Sequence, residues 1–146
     1  MNAIERFGLK SLLLVSLLAL SACGSTPEVD RSRIETSERT TLMDAAAQGK
    51  VEQVKARLDE GAQINAMGPD GTPLFLAAAN DRDSVVWNLL REGADPDRGR
   101  DDGTTPLMAA ASSGNKRIVD MLLAAGADIA AKNDNGDTAL SYAVLN

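Results

Sequence analysis

One pattern returns four times in this chain and decides what it can fold into. Threonine marks at Thr40, Thr72, Thr105 and Thr138 are separated by 32, 33 and 33 residues, and Gly-Ala pairs at Gly61, Gly93 and Gly126 keep the same step. The fullest copy is Thr105–Ala127, TPLMAAASSGNKRIVDMLLAAGA. Thr105 is placed to cap a helix, and Pro106 stands at the first helical position, where a missing N–H costs nothing. Leu107, Ala110 and Ala111 form one apolar stripe at helical spacing, and Gly114 offers the positive φ that stops the helix. A second helix follows, with Ile118, Val119, Met121, Leu122 and Leu123 apolar, up to Gly126. Such a hairpin is too small to bury its own apolar face, so successive copies must stack on one another.

Composition agrees with stacked short helices: aromatic residues make up 3% of the 146, and alanine is abundant. A net charge of −6 and the lack of a basic stripe argue against nucleic acid as a partner. The chain has no histidine and a single cysteine, and it shows no phosphate-cradling glycine loop, metal-ligand cluster or Ser–Lys motif. A binding module is therefore expected rather than an enzyme, with no cofactor and no metal. The run Asp95–Gly103 alternates aspartates, but a calcium loop needs an acid or amide at Gly99, a glycine next and a glutamate at Pro106. All three are missing, and a solvated loop tip is the expectation.

The period together with the T-P-L … G-A pattern resembles the ankyrin repeat over residues 38–146. The resemblance implies an all-α solenoid of helix–turn–helix units with β-hairpin-like finger loops, three full repeats plus a C-terminal half repeat. Several residues depart from the family pattern. Arg57 stands where later copies have Leu89 and Leu122, as suits an end repeat with one wet face. Phe75 takes a place the family usually gives to histidine, with Met43 and Met108 in the neighbouring copies, so an apolar contact is expected there. Asp81 replaces the interhelical glycine. Trp87 sits where Lys55 and Asp120 flank it in the adjacent repeats, and two readings stay open: a ring folded against the outer helices, or an exposed contact residue. The half repeat Asn135–Asn146 either leaves part of repeat three open to a partner or second copy, or serves as a complete minimal cap.

In the family, finger tips and first-helix faces line a concave surface. Carried over by position, the first finger supplies Met67, Pro69 and Asp70, the second Gly99, Asp101, Asp102 and Thr104, and the third Lys132, Asp134, Asn135 and Asp137. The first helices supply Asp44, Leu76, Gln48, Asn80, Ser112, Ser113 and Tyr142, the last of which is equally readable as a capping contact. This face is mostly acidic, so a protein partner with a basic surface is expected. The clustered aspartates read as charges that folding does not need.

Residues 1–22 read as an export signal rather than as fold. Arg6 and Lys10 precede the apolar run Leu12–Leu20, which is too short to span a bilayer. Leu20-Ser21-Ala22-Cys23 resembles the lipobox of bacterial lipoproteins, which implies acylation of Cys23 and cleavage before it; the alternative is an ordinary signal peptide with an incidental cysteine. Gly24 lacks the aspartate associated with inner-membrane retention, so the resemblance implies outer-membrane attachment facing the periplasm. Residues 23–37 read as a lipidated flexible tether, with Ile34 as a docking side chain on the first repeat. Two roles follow: a membrane-anchored protein-binding module, including an immunity-type inhibitor of a toxin or lipase, or a structural, assembly or stress-resistance scaffold holding an envelope component near the membrane.

Overall fold

The computed structural model describes residues 42–145. The readings on Cys23, the segments 1–22 and 23–37, Ile34 and Thr40 lie outside the described residues. Seven helices are present among those described. They are α1 (residues 42–48), α2 (Val51–Asp59), α3 (Pro73–Ala79), α4 (Asp83–Arg91), α5 (Pro106–Ser113), α6 (Lys116–Ala124) and α7 (Ala139–Val144). The pairs α1–α2, α3–α4 and α5–α6 are three repeats, and α7 is the first helix of a fourth. None of these helices is long and apolar enough to cross a membrane.

The threonine marks do the work their spacing predicts. Thr72, Thr105 and Thr138 have extended backbones, and their side chains accept the N–H of Phe75, Met108 and Ser141 respectively. Each cap satisfies one of the donors that a helix start leaves orphaned. Thr72 also donates its hydroxyl to the Arg98 carbonyl at 2.6 Å, tying the start of repeat two to the next finger. At the other end of α5, Gly114 has φ 72° as expected. Asp81, the residue in place of the corresponding glycine, adopts φ 57° despite its side chain.

Like packs on like along the array. The inner helices α3, α5 and α7 stack in series, the outer helices α2, α4 and α6 do the same, and α3 and α5 also pack on their own outer partners, α4 and α6. The core between the layers holds Leu42, Val54, Leu74, Val85, Val86, Leu89, Leu107, Ile118 and Leu122, with alanines where helices approach closely. Not every apolar residue of the outer helices is buried. Leu90, Val119 and Met121 are half-buried, and Leu123 is 40% exposed. A nine-residue helix against one layer has room for about two fully buried rows, and Leu123 falls past the edge of that stripe.

Arg57, aligned with Leu89 and Leu122, is half-buried with its guanidinium 2.7 Å from Glu60. Phe75 and Met108 are buried beneath the fingers, and the Met108 sulfur accepts the Thr105 N–H at 3.5 Å. Both side chains are thus buried, as the expected apolar contact requires, and Met108 also accepts a backbone hydrogen bond. Where an aligned residue would need room, glycine provides it: a Cβ on Gly68 would collide with the Met43 sulfur.

Candidate partner-binding surface

The fingers are tight turns rather than strands. In the first, Gly68 and Gly71 exchange two hydrogen bonds, 3.0 and 3.2 Å, around Pro69-Asp70, which is the only bridge among the described residues. The second and third hold one residue more, closed by Arg100 N–H to Thr104 carbonyl at 2.9 Å and Asn133 N–H to Asp137 carbonyl at 3.1 Å. That extra residue explains why the first threonine step is one shorter than the others. Adjacent fingers are joined by backbone: Thr72 N–H reaches the Gly99 carbonyl at 3.1 Å, and Asp134 N–H reaches the Asp102 carbonyl at 2.9 Å.

The structure corrects the reading of the aspartates as charges without a folding role. Asn65 Oδ1 accepts the Asp95 N–H at 2.9 Å, and Asp97 Oδ1, one period later, accepts the Asp128 N–H at 2.7 Å. Within each connection Asp95 accepts from Asp97 N–H at 3.0 Å and Asp128 from Ala130 N–H at 2.8 Å. These side chains form a ladder that runs across the array and holds successive repeats in register. Each rung satisfies a backbone donor in a segment that has neither helix nor sheet to do so. The rung positions repeat with the same period as the threonines, a signal available in the sequence but masked by the alternating aspartates around them.

Asp102 is part of this structural set as well. Its carboxylate accepts the Thr104 N–H at 2.9 Å, with the Arg100 guanidinium 4.0 Å away. Hydrogen bonding from Thr104, side chain first and then backbone, holds its pKa below the usual 3.8, with Arg100 adding to the effect. Asn133, unmarked by sequence reasoning, is the hub of the third finger and only 7% exposed. Its Oδ1 accepts from Asn135 and Asp137 N–H at 3.0 and 2.9 Å, and its Nδ2 donates to the Tyr142 hydroxyl at 3.1 Å. Tyr142 is therefore half-buried and engaged as a capping contact.

The remaining candidates divide by exposure. Gly99 is buried, and a Cβ there would collide with the Thr104 carbonyl, so it is a close-packing position and not a contact. Met67, Leu76, Thr104 and Asp137 are half-buried. Asn80 is exposed, but its Nδ2 is turned back onto the Leu76 carbonyl at 2.7 Å, and Ser113 does the same to Ala110 at 3.2 Å. Ser112, Asn135, Lys132, Asp44, Gln48 and Pro69 are exposed. Asp70, Asp101 and Asp134 stand one on each finger, exposed, with carboxylates that meet neither a hydrogen-bond donor nor a cation among the described residues. The surface keeps these three fingertip charges free, alongside the exposed Asp44 of α1, and assigns Asp102 to the scaffold.

Trp87 lies elsewhere, on α4, 49% exposed, with the Arg91 guanidinium 4.6 Å from its ring centre. Leu140 and Val144 of the last helix and Leu145 just after it are also exposed; together with Leu123 and Ile129, Leu140 borders an apolar groove at the end of repeat three.

A family model described as Ankyrin repeats (3 copies) matches residues 1–100 and 74–146. Among curated proteins the chain is similar to a mitochondrial disaggregase from Bos taurus, 37% identical over 101 residues, which is 68% of this chain and 14% of that protein. The mitochondrial disaggregase of Homo sapiens is 39% identical over 71 residues, 48% of this chain and 10% of that protein. BCL-6 corepressor-like protein 1 from Homo sapiens is 32% identical over 75 residues, 51% of this chain and 4% of that protein. The chain thus spans 14% or less of the length of these relatives.

Proposed function

The chain belongs to the ankyrin-repeat family, whose repeats bind protein partners, and we propose that it is a lipid-anchored binding module of the bacterial cell envelope that takes a basic partner protein on its finger face. The observation that carries the binding face is the row of unpaired carboxylates Asp70, Asp101 and Asp134, one per finger on three consecutive fingers held together by backbone hydrogen bonds. A row of like charges on a rigid frame speeds encounter with a positive surface and rejects negative ones. The scaffold does not use these three side chains, so their charge is free for recognition.

The anchor half of the proposal is supported by Arg6 and Lys10 ahead of the apolar run Leu12–Leu20, and by Leu20-Ser21-Ala22 before Cys23, the chain's single cysteine. Two or more acyl chains, at about 0.8 kcal/mol per buried methylene, hold a protein on a bilayer durably. The site proposed for attachment is the outer membrane, facing the periplasm. The word mitochondrial in two relatives' names describes proteins of which this chain matches 14% or less, and it carries no location to this one.

Each half has its own test. Cys23→Ala is expected to abolish incorporation of labelled palmitate, and labelling that persists in the variant refutes the anchor. For the face, a partner is captured from envelope membranes with the wild-type chain and with Asp70→Lys/Asp101→Lys/Asp134→Lys. Charge reversal is expected to weaken capture about tenfold or more, and added salt to weaken wild-type capture in the same direction. A partner retained equally by both, at every salt concentration, removes the finger face from the proposal.

A further inference from the structure

The outer helices carry a second feature that folding does not require. Trp87 occupies a repeat position filled by Lys55 on α2 and Asp120 on α6, both exposed, so the array is built with a polar surface residue there. A tryptophan left 49% exposed at such a position is not explained by packing. Its ring lines a groove of about 600 Å³ between α4 and α6, with Met121 and Asp120 across from it and Asp83 and Arg117 at one end. Arg91 stacks on the ring without lining the groove, which holds the indole in place.

The charges in the groove are unequally committed. Asp83 is engaged twice, by Arg117 at 3.5 Å and by the Asn115 Nδ2 at 3.0 Å. Asp120 has no hydrogen bond or ion pair among the described residues. The lining therefore offers an aromatic face, a thioether and one unmatched negative charge. Aromatic faces attract cations, and long basic side chains lay their aliphatic stems along apolar surface while keeping the head at a charge. A carboxylate entering the same groove meets the unmatched Asp120, and the one guanidinium in the lining, Arg117, is already paired with Asp83.

We infer that the groove between α4 and α6 is a second docking surface, separate from the fingers, for a lysine- or arginine-bearing segment of a protein partner, its stem on Trp87 and Met121 and its head at Asp120. The volume suits one long side chain with its flanking residues, within the range of ligand sites in general. The surface stands independently of the finger-face proposal, because none of the three finger carboxylates lines it.

Trp87 is the chain's single tryptophan, so its fluorescence reports on this groove alone. The full chain is titrated with two blocked peptides, Ala-Leu-Lys-Leu-Ala and Ala-Leu-Glu-Leu-Ala, following Trp87 emission and amide chemical shifts. The lysine peptide is expected to saturate, with shifts centred on the Trp87 indole, Asp120 and Met121, and the glutamate peptide to leave them unmoved. Asp120→Lys, which places on α6 the residue α2 already carries, is expected to weaken the lysine peptide at least tenfold. The triple finger variant is expected to bind it as wild type does. Absence of saturation up to about 5 mM, a scale on which binding free energy falls to about 3 kcal/mol, overturns the inference. So do equal binding of the glutamate peptide, shifts confined to the fingers, or emission that changes with protein concentration alone, which would mark a contact between two copies.

Discussion

Leu122 and Leu123 are neighbours on α6 with identical side chains, and the fold treats them oppositely. Leu122 is fully buried in the core cluster, whereas Leu123 is 40% exposed at the rim of an open apolar groove. Leu→Ala deletes three carbons, worth about 2.4 kcal/mol of transfer free energy at about 0.8 per methylene. At Leu122 a cavity term adds to this because close-packed neighbours relax only partly, for a total of about 3–5 kcal/mol. At Leu123 the same deletion loses roughly 60% of the transfer term and leaves no enclosed cavity, for about 1.4 kcal/mol. Equilibrium urea unfolding of the two variants, followed by far-ultraviolet circular dichroism, reads the difference directly. For a repeat array of this size the larger loss lowers Tm by roughly 12 °C or more, and with total stability of about 5–15 kcal/mol it can unfold the array. Equal losses at the two positions, or a loss at Leu122 below about 1 kcal/mol, refute the assignment of the two residues to core and rim.

The ladder predicts that Asp97→Ala costs about 1 kcal/mol through the lost bond to Asp128 N–H, whereas Asp97→Asn, which keeps an acceptor, costs less. Hydrogen exchange at the Asp128 amide checks it, and an amide equally protected in both variants rules the rung out. The depressed pKa of Asp102 makes its ionised form the one the fold favours. Its stabilising contribution is therefore present above the ordinary value of 3.8 and lost as pH falls below it, through the folded pKa. Carbon-detected titration of that carboxyl is expected to give a midpoint under 3.8, and Asp102→Asn to flatten the acid limb of the stability curve in the same window. For the same reason a charge-reversing substitution at Asp102 is a poor probe of binding, because it also removes the acceptor for Thr104 N–H.

The repeat period, the helix pairs and their caps were legible in the amino-acid sequence because each rests on local chemistry. A threonine before proline and leucine caps a helix through its own side chain, and a stripe at helical spacing announces a face to be buried. Identical copies at a fixed step then admit one arrangement, neighbour on neighbour, so Thr72, Thr105 and Thr138 determined the solenoid by themselves. The half repeat and the unusual turn at Asp81 followed from the same alignment. What the copies share could be read in this way; what makes them differ in space could not. Asp97, Asp101 and Asp102 are the same kind of residue within six positions, yet Asp97 bridges to the next repeat, Asp102 closes its own turn and Asp101 stays free. Leu122 and Leu123 part in the same manner, and Asn133 gained its role only when its own finger and Tyr142 closed around it. Asp97 meets a donor 31 residues away, a reach shared by Thr72 with Arg98 and Arg82 with Ala47, whereas Asp102 and Asn133 find their partners within nine residues once their own fingers close. Local sequence sets the unit and its period, and only the stacked array decides which of a unit's polar groups it consumes and which it leaves for a partner.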